Sequence, residues 1–161
     1  MKANKLSLSV LIASVFLLFS FTNDTNTVLD GGDEGDMLVG VWEPGHGKAK
    51  VKISKVGNKY FGKIVWLKEP KNEKGEKKTD VNNPDSKMHD TPLLGYKILK
   101  DFEYVGDGVW ENGTIYDPEN GSLYSCTIKK KSKTKIEVRG YIGVSMIGRT
   151  DTWTKLQRKK K

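Results

Sequence analysis

Residues 48–67 read KAKVKISKVGNKYFGKIVWL, and this stretch decides the fold class. From Lys48 to Ser54 the chain alternates strictly, with Ala49, Val51 and Ile53 on one face and three lysines on the other. That period of two is the mark of a half-buried β-strand. Val56-Gly57-Asn58 follows, a tight-turn sequence, and Lys59 to Leu67 then supplies a second strand rich in β-branched and aromatic residues. The pair reads as a hairpin.

Working outward, the same grammar repeats from Met37 onward: short runs rich in Val, Ile, Tyr, Trp and Thr, each closed by a cluster of Gly, Asn, Asp or Pro. Further strands are expected at Val39–Glu43, Leu93–Phe102, Val109–Asp117, Leu123–Lys129, Lys135–Tyr141 and Arg149–Gln157. Asp107-Gly108, Asp117 to Gly121 and Lys131 to Lys133 fit the turns between them. No segment of this region sustains helical periodicity. Short connections imply an antiparallel meander, interrupted by residues 68–92, which are too many for an ordinary connection. Eight up-and-down strands with one apolar face each lose their exposed edges by closing. The fold class expected is therefore all-β, an antiparallel up-and-down β-barrel of about eight strands, with a two-sheet sandwich as the alternative.

The chain of 161 residues is of single-domain length. Residues 1–22 read as a secretory signal peptide: Lys2 and Lys5 precede an uncharged run from Leu6 to Phe21, short for a spanning helix. Export to the periplasm or the extracellular space is expected. Residues 23–36 carry five acids and three glycines and read as a flexible acidic linker, 37–158 as the barrel domain, and 159–161 as a basic tail. The lone Cys126 leaves no intramolecular disulfide to form, and its place on a strand face with Tyr124 and Ile128 reads as a buried, inert thiol. A monomer is expected.

Formal net charge is +8, yet only three of the 28 cations are Arg. Specific phosphate and base readers favour the bidentate guanidinium, so nucleic acid is not expected as a partner. The cations of Lys129 to Lys135 and of Arg158 to Lys161 read as solvated faces that protect sheet edges, with an anionic envelope surface as a further partner.

No catalytic pattern is legible. His46 and His89 lie in separate Gly- or Pro-flanked loops. Gly143 to Gly148 misses the nucleophile-elbow spacing around Ser145 by one residue. Gly45-His46-Gly47-Lys48 lacks the first Gly of a phosphate loop and reads as the turn after the first strand. One Cys and two dispersed His make no zinc set, and Asp80 to Asp85 lacks the central Gly and distal Glu of a calcium loop, so its Asx side chains are expected to brace the long connection. Neither a cofactor nor a metal is expected, and the chain does not read as an enzyme.

The aromatic residues remain. Tyr60, Ile64 and Trp66 alternate on one strand, Tyr96 and Ile98 on another, and Trp110 and Tyr116 on a third. Facing inward in a barrel, such rings with polar tips would hold a small apolar or amphipathic ligand. The expected ligand-binding set is Trp42, Tyr60, Trp66, Tyr96, Trp110, Tyr116, Arg139 and Arg149. The alternative is a barrel filled by its own side chains that works through its surface, on an anionic envelope surface or a protein partner.

Gly40-Val41-Trp42 resembles the Gly-X-Trp that opens lipocalin-like and avidin-like barrels, where a late-strand Arg packs over the Trp. That resemblance implies a contact between Trp42 and Arg149 or Arg139. Together with Asp80-Val81-Asn82-Asn83-Pro84-Asp85, Pro92-Leu93-Leu94-Gly95, Gly113 to Pro118, Arg139 to Gly143, and Gly148-Arg149-Thr150 with Trp153, it resembles the exported bacterial family called domain of unknown function 2147. The resemblance spans about residues 38–157 and implies export and a β-barrel-like fold; it supplies no reaction.

Overall fold

A computed structural model describes residues 34–144 and 147–157. The N-terminal apolar run, Ser145 and the basic tail lie outside the described residues. Eight antiparallel strands follow one another around a closed barrel in chain order. They are β1 (Gly40–Glu43), β2 (Ala49–Val56), β3 (Lys59–Leu67), β4 (Lys97–Gly106), β5 (Val109–Asp117), β6 (Ser122–Ser132), β7 (Lys135–Tyr141) and β8 (Gly148–Lys155). Closure is made by the first and last strands, with Trp42 opposite Lys155 and Glu43 opposite Thr154. Every strand thus has two neighbours, so Lys129 and Lys131 stand on an outer wall rather than on an open edge, and Lys130 turns to Glu34 at the barrel end.

The barrel has two unlike ends. A 3-10 helix at Glu34–Leu38 enters at one of them, which also carries the β2–β3, β4–β5 and β6–β7 turns. This helix reaches into the stretch expected to be a flexible linker. It is held because Gly35 sits against Tyr60 and Tyr104, where a side chain would not fit, and because Asp36 accepts a hydrogen bond from the Tyr60 hydroxyl at 2.8 Å. The other end carries the β1–β2, β5–β6 and β7–β8 turns and the long connection from β3 to β4, so it is called the loop end below.

Alternation places Val51, Ile53, Tyr60, Ile64, Leu99, Phe102, Trp110, Cys126, Ile128, Ile136, Val138 and Trp153 in the core with Trp42 and Leu38, all nearly or fully buried. Slips in register re-aim the pattern at several places, among them β4, where Asp101 takes a left-handed φ of 63° and Leu99 and Phe102 both face the core; two others bear on the site. The pairing of β2 with β3 slips between Lys50 and Val51, and that of β5 with β6 slips between Trp110 and Gly113. At the second, Asn112 takes a left-handed φ of 60°, and Gly113 lies against the Phe102 ring where a Cβ would clash. After such a bulge the faces of the following side chains exchange.

Candidate functional site

The long connection, residues 68–96, is ordered against the barrel rather than loose. Thr79 and Pro92 form an isolated bridge, Asp80 N–H donates to the Thr91 carbonyl at 3.0 Å, and a short 3-10 turn occupies Ser86–Met88. Asx turns brace it: Asn83 Oδ1 accepts from Asp85 N–H and Asp85 Oδ1 from Lys87 N–H. At its centre Asp80 is completely buried. Its carboxylate accepts from the Tyr116 hydroxyl at 2.8 Å and from Asn83 Nδ2 at 2.6 Å. Asn83 Nδ2 also reaches the Tyr96 hydroxyl at 3.2 Å, and the Tyr96 and Tyr116 rings pack at 5.5 Å. Burial, then the Asp80 carboxylate, pushes the phenols of Tyr96 and Tyr116 above their ordinary range. The connection is clamped to the β5–β6 turn as well, since Asn82 Nδ2 donates to the Pro118 and Glu119 carbonyls.

Along the bore, burial falls from one end to the other. At the helix end Trp42 and Trp110 are 0% exposed and Tyr60 1%. Trp42 Nε1 donates to the Leu38 carbonyl at 2.8 Å, and Tyr60 and Tyr104 pack on the Trp110 ring. Burial, then Asp36, pushes the Tyr60 phenol up to about 12. Toward the loop end, Leu67 and Ile115 pack on the core yet are only half-buried, and Tyr124 is half-buried too. Gly140 has no side chain to offer the bore; a Cβ there would meet Ile115 and Tyr124. Arg149 stands opposite Gly140 and is exposed. It lies on the β8 face of Asp151 and Trp153, so it faces the mouth of the bore.

The mouth carries a mixed set of charges. Lys48 and Glu119 pair at 2.8 Å across its rim, which holds the Glu119 carboxyl low and the Lys48 ammonium high. Arg149 and His46 are close enough to add to the field on Glu119. Asp151 Oδ2 accepts from Gly45 N–H at 3.2 Å and from Trp153 Nε1 at 3.0 Å, tying the β1–β2 turn to β8. His46 Nδ1 accepts from Lys48 N–H in that turn, and His89 Nε2 meets the Asn83 carbonyl oxygen at 2.8 Å, so each imidazole serves its own loop.

The expected ligand set is thus dispersed. Trp42, Tyr60 and Trp110 fill the helix end; Tyr96 and Tyr116 face outward beneath the long connection; Trp66 lies 39% exposed on the outer wall with Lys50 Nζ 4.6 Å above its ring. Slips in register send Trp66 and Tyr116 outward, while Tyr96 precedes β4 altogether. Arg139 is also outside, donating to Thr150 Oγ1 at 2.8 Å. The anticipated contact of Trp42 with Arg149 or Arg139 is corrected: Lys155 Nζ lies 5.3 Å over the Trp42 ring and donates to the Met37 carbonyl. Arg149 is six residues earlier on β8, about 20 Å away at the rise of a strand. Two outer-wall concavities, of about 350 and 260 Å³, adjoin one another: the first includes Asn112, Ser125 and Tyr141, the second Glu137 and Arg139. The Asp80 network is not legible in the sequence, because plain alternation along β5 points Tyr116 inward. Cys126 is buried, and burial raises its thiol to about 12.

These features define an all-β chain built as a closed eight-stranded up-and-down barrel of the lipocalin type. Its fold is similar to that of protein HP1028 from the human pathogen Helicobacter pylori, described as belonging to the lipocalin family. The match has a TM-score of 0.65 at 22% identity and covers 74% of this chain and 83% of that one. The chain belongs to the family described as uncharacterized protein conserved in bacteria, domain of unknown function 2147, which matches residues 40–155. No curated protein matches it.

Proposed function

We propose that the protein is an exported, monomeric, non-enzymatic binding module, and that it takes a small amphipathic ligand with an anionic head at the loop-end mouth of the barrel. The observation that carries this reading is the gradient of burial along the bore, from Trp42 and Trp110 at 0% exposure to a half-open rim lined by Leu67, Ile115 and Tyr124. A tail would lie on the apolar groups, and the Arg149 guanidinium would take the head in a charge-assisted, two-pronged pair. The lipocalin-type barrel supports the reading, because an interior enclosed by eight strands is of a size to hold one small ligand. The Leu6 to Phe21 run supports export.

Trp153 provides the readout, since its indole shares Asp151 with the β1–β2 turn at the mouth. Titration with dodecanoate is expected to change tryptophan emission and to give a one-to-one complex by native mass spectrometry. Arg149→Ala should lose the complex while leaving the far-ultraviolet spectrum unchanged. No complex and no emission change with dodecanoate would refute the proposal.

A further inference from the structure

We propose that the β7–β8 hairpin is a docking tip that seats the loop end of the barrel on an anionic lipid bilayer. Ile142, Val144 and Ile147 are 68%, 61% and 72% exposed, and they belong to one short turn closed by Ile147 N–H donating to the Val144 carbonyl. Tyr141 pairs with Gly148 at the base of that turn, and Ser125 pairs with Tyr141. Leu123, 59% exposed, is therefore two residues from the same base on the neighbouring strand. Single exposed aliphatic side chains need no explanation; several at one projecting tip mark a surface that meets something apolar. At the helix end, by contrast, Val56 and Val105 are exposed singly on separate strands.

Charge decides what that something is. Between Glu137 and Asp151 the only charged side chains are Arg139 and Arg149, two of the three arginines of the chain. The nearby acids are engaged: Glu119 is ion-paired with Lys48 and Glu137, beside Arg139, with Lys131, while Asp117 accepts from Glu119 N–H and Asp151 from Gly45 and Trp153. An apolar tip over a base of arginines matches an interface where acyl chains lie beneath phosphate headgroups, and guanidinium binds phosphate bidentately. A second copy of the chain fits worse, because meeting tips would bring four arginines together. The docking stands independently of ligand capture at the mouth, although it would turn that mouth toward the bilayer.

The test places an environment-sensitive dye on the full chain at Ile147→Cys and, separately, at Val56→Cys. Cys126 does not compete, being buried with its thiol pushed up to about 12. Vesicles are phosphatidylcholine alone or mixed equally with phosphatidylglycerol. The expected result is a blue shift at residue 147 and none at 56, stronger on the mixed vesicles and reduced by salt. Arg139→Gln should weaken the response about fivefold, the effect of one cation near an anionic surface. Ile142→Asp, made in the chain labelled at 147, should abolish the shift; Ile142→Asp with Ile147→Asp in the unlabelled chain should leave the dodecanoate response at Trp153 intact. This separates failure of docking from failure of ligand binding. Equal shifts at 147 and 56, no shift at 147, or a shift at 147 on concentrating the protein without vesicles would each overturn the proposal, the last assigning the tip to a second copy.

Discussion

Replacing Asp80 by Asn keeps the volume and removes the charge at the pin of the long connection. The carboxylate accepts from Tyr116 at 2.8 Å and from Asn83 at 2.6 Å in a place water does not reach. A hydrogen bond to a charged group is worth about 1.5–3 kcal/mol, and a buried donor left without an acceptor costs about 1–3 kcal/mol. The amide so introduced keeps one acceptor oxygen and turns an NH2 toward a second donor. One bond is then lost and one donor orphaned, for about 2.5–6 kcal/mol in all. Urea denaturation should report this loss, and hydrogen exchange should show it first in residues 68–96, because the carboxylate ties that connection to β5. Tyr116→Phe should cost about 1.5–3 kcal/mol, and the double variant should be less destabilised than the sum of the two. A stability for Asp80→Asn within about 0.5 kcal/mol of the parent, a size ordinary for surface changes, would show that the carboxylate does not pin the connection.

Trp42→Ala should cost about 3–5 kcal/mol as a core deletion, and a double-mutant cycle in urea should find coupling of Trp42 to Lys155 and none to Arg149. Stability should also fall in alkali. The Tyr60 phenol titrates near 10.0 unfolded and about 12 folded, so the unfolded chain loses its proton first and stability, complete below about 10, declines as pH rises toward 12. Two units correspond to about 2.7 kcal/mol, and solvent around the partly exposed Asp36 and Lys55 beside the hydroxyl reduces this to about 1–2 kcal/mol. Tyr60→Phe should flatten that part of the pH profile. Gly121→Ala should destabilise and free the long connection in hydrogen exchange, because φ there is +69° and a Cβ would collide with the Asn82 carbonyl.

How much of this is legible in the sequence depends on whether a residue's position is set locally. The limits of β3, β5 and β7 follow from runs of β-branched and aromatic residues closed by turn residues, and they coincide with the expected ones. Leu93 and Leu94 look like the start of β4, but Gly95 turns with φ +94°, and the strand begins at Lys97. β6 runs on to Ser132, since Lys129 to Lys131 continue the pairing with β7 on a surface where lysine is at ease. What fails is the facing of residues beyond a bulge. The slip opposite Lys50 sends Trp66 outward, and the one after Trp110 sends Tyr116 onto the outer wall. Once Tyr116 is placed there, Asp80, 36 residues earlier, has a partner. The choice of Lys155 over Arg149 as neighbour of Trp42 rests on how far β1 and β8 slide past each other, which no local pattern encodes.

Amide chemical-shift mapping during titration with dodecanoate locates ligand capture on the barrel. Shifts should concentrate at Leu67, Ile115, Tyr124, Gly140, Arg149 and the Gly45 to Lys48 turn, with the Trp42 and Trp110 end of the bore unchanged. Shifts confined to the outer wall around Asn112, Ser125 and Tyr141, or none at saturating dodecanoate, would contradict capture at the mouth.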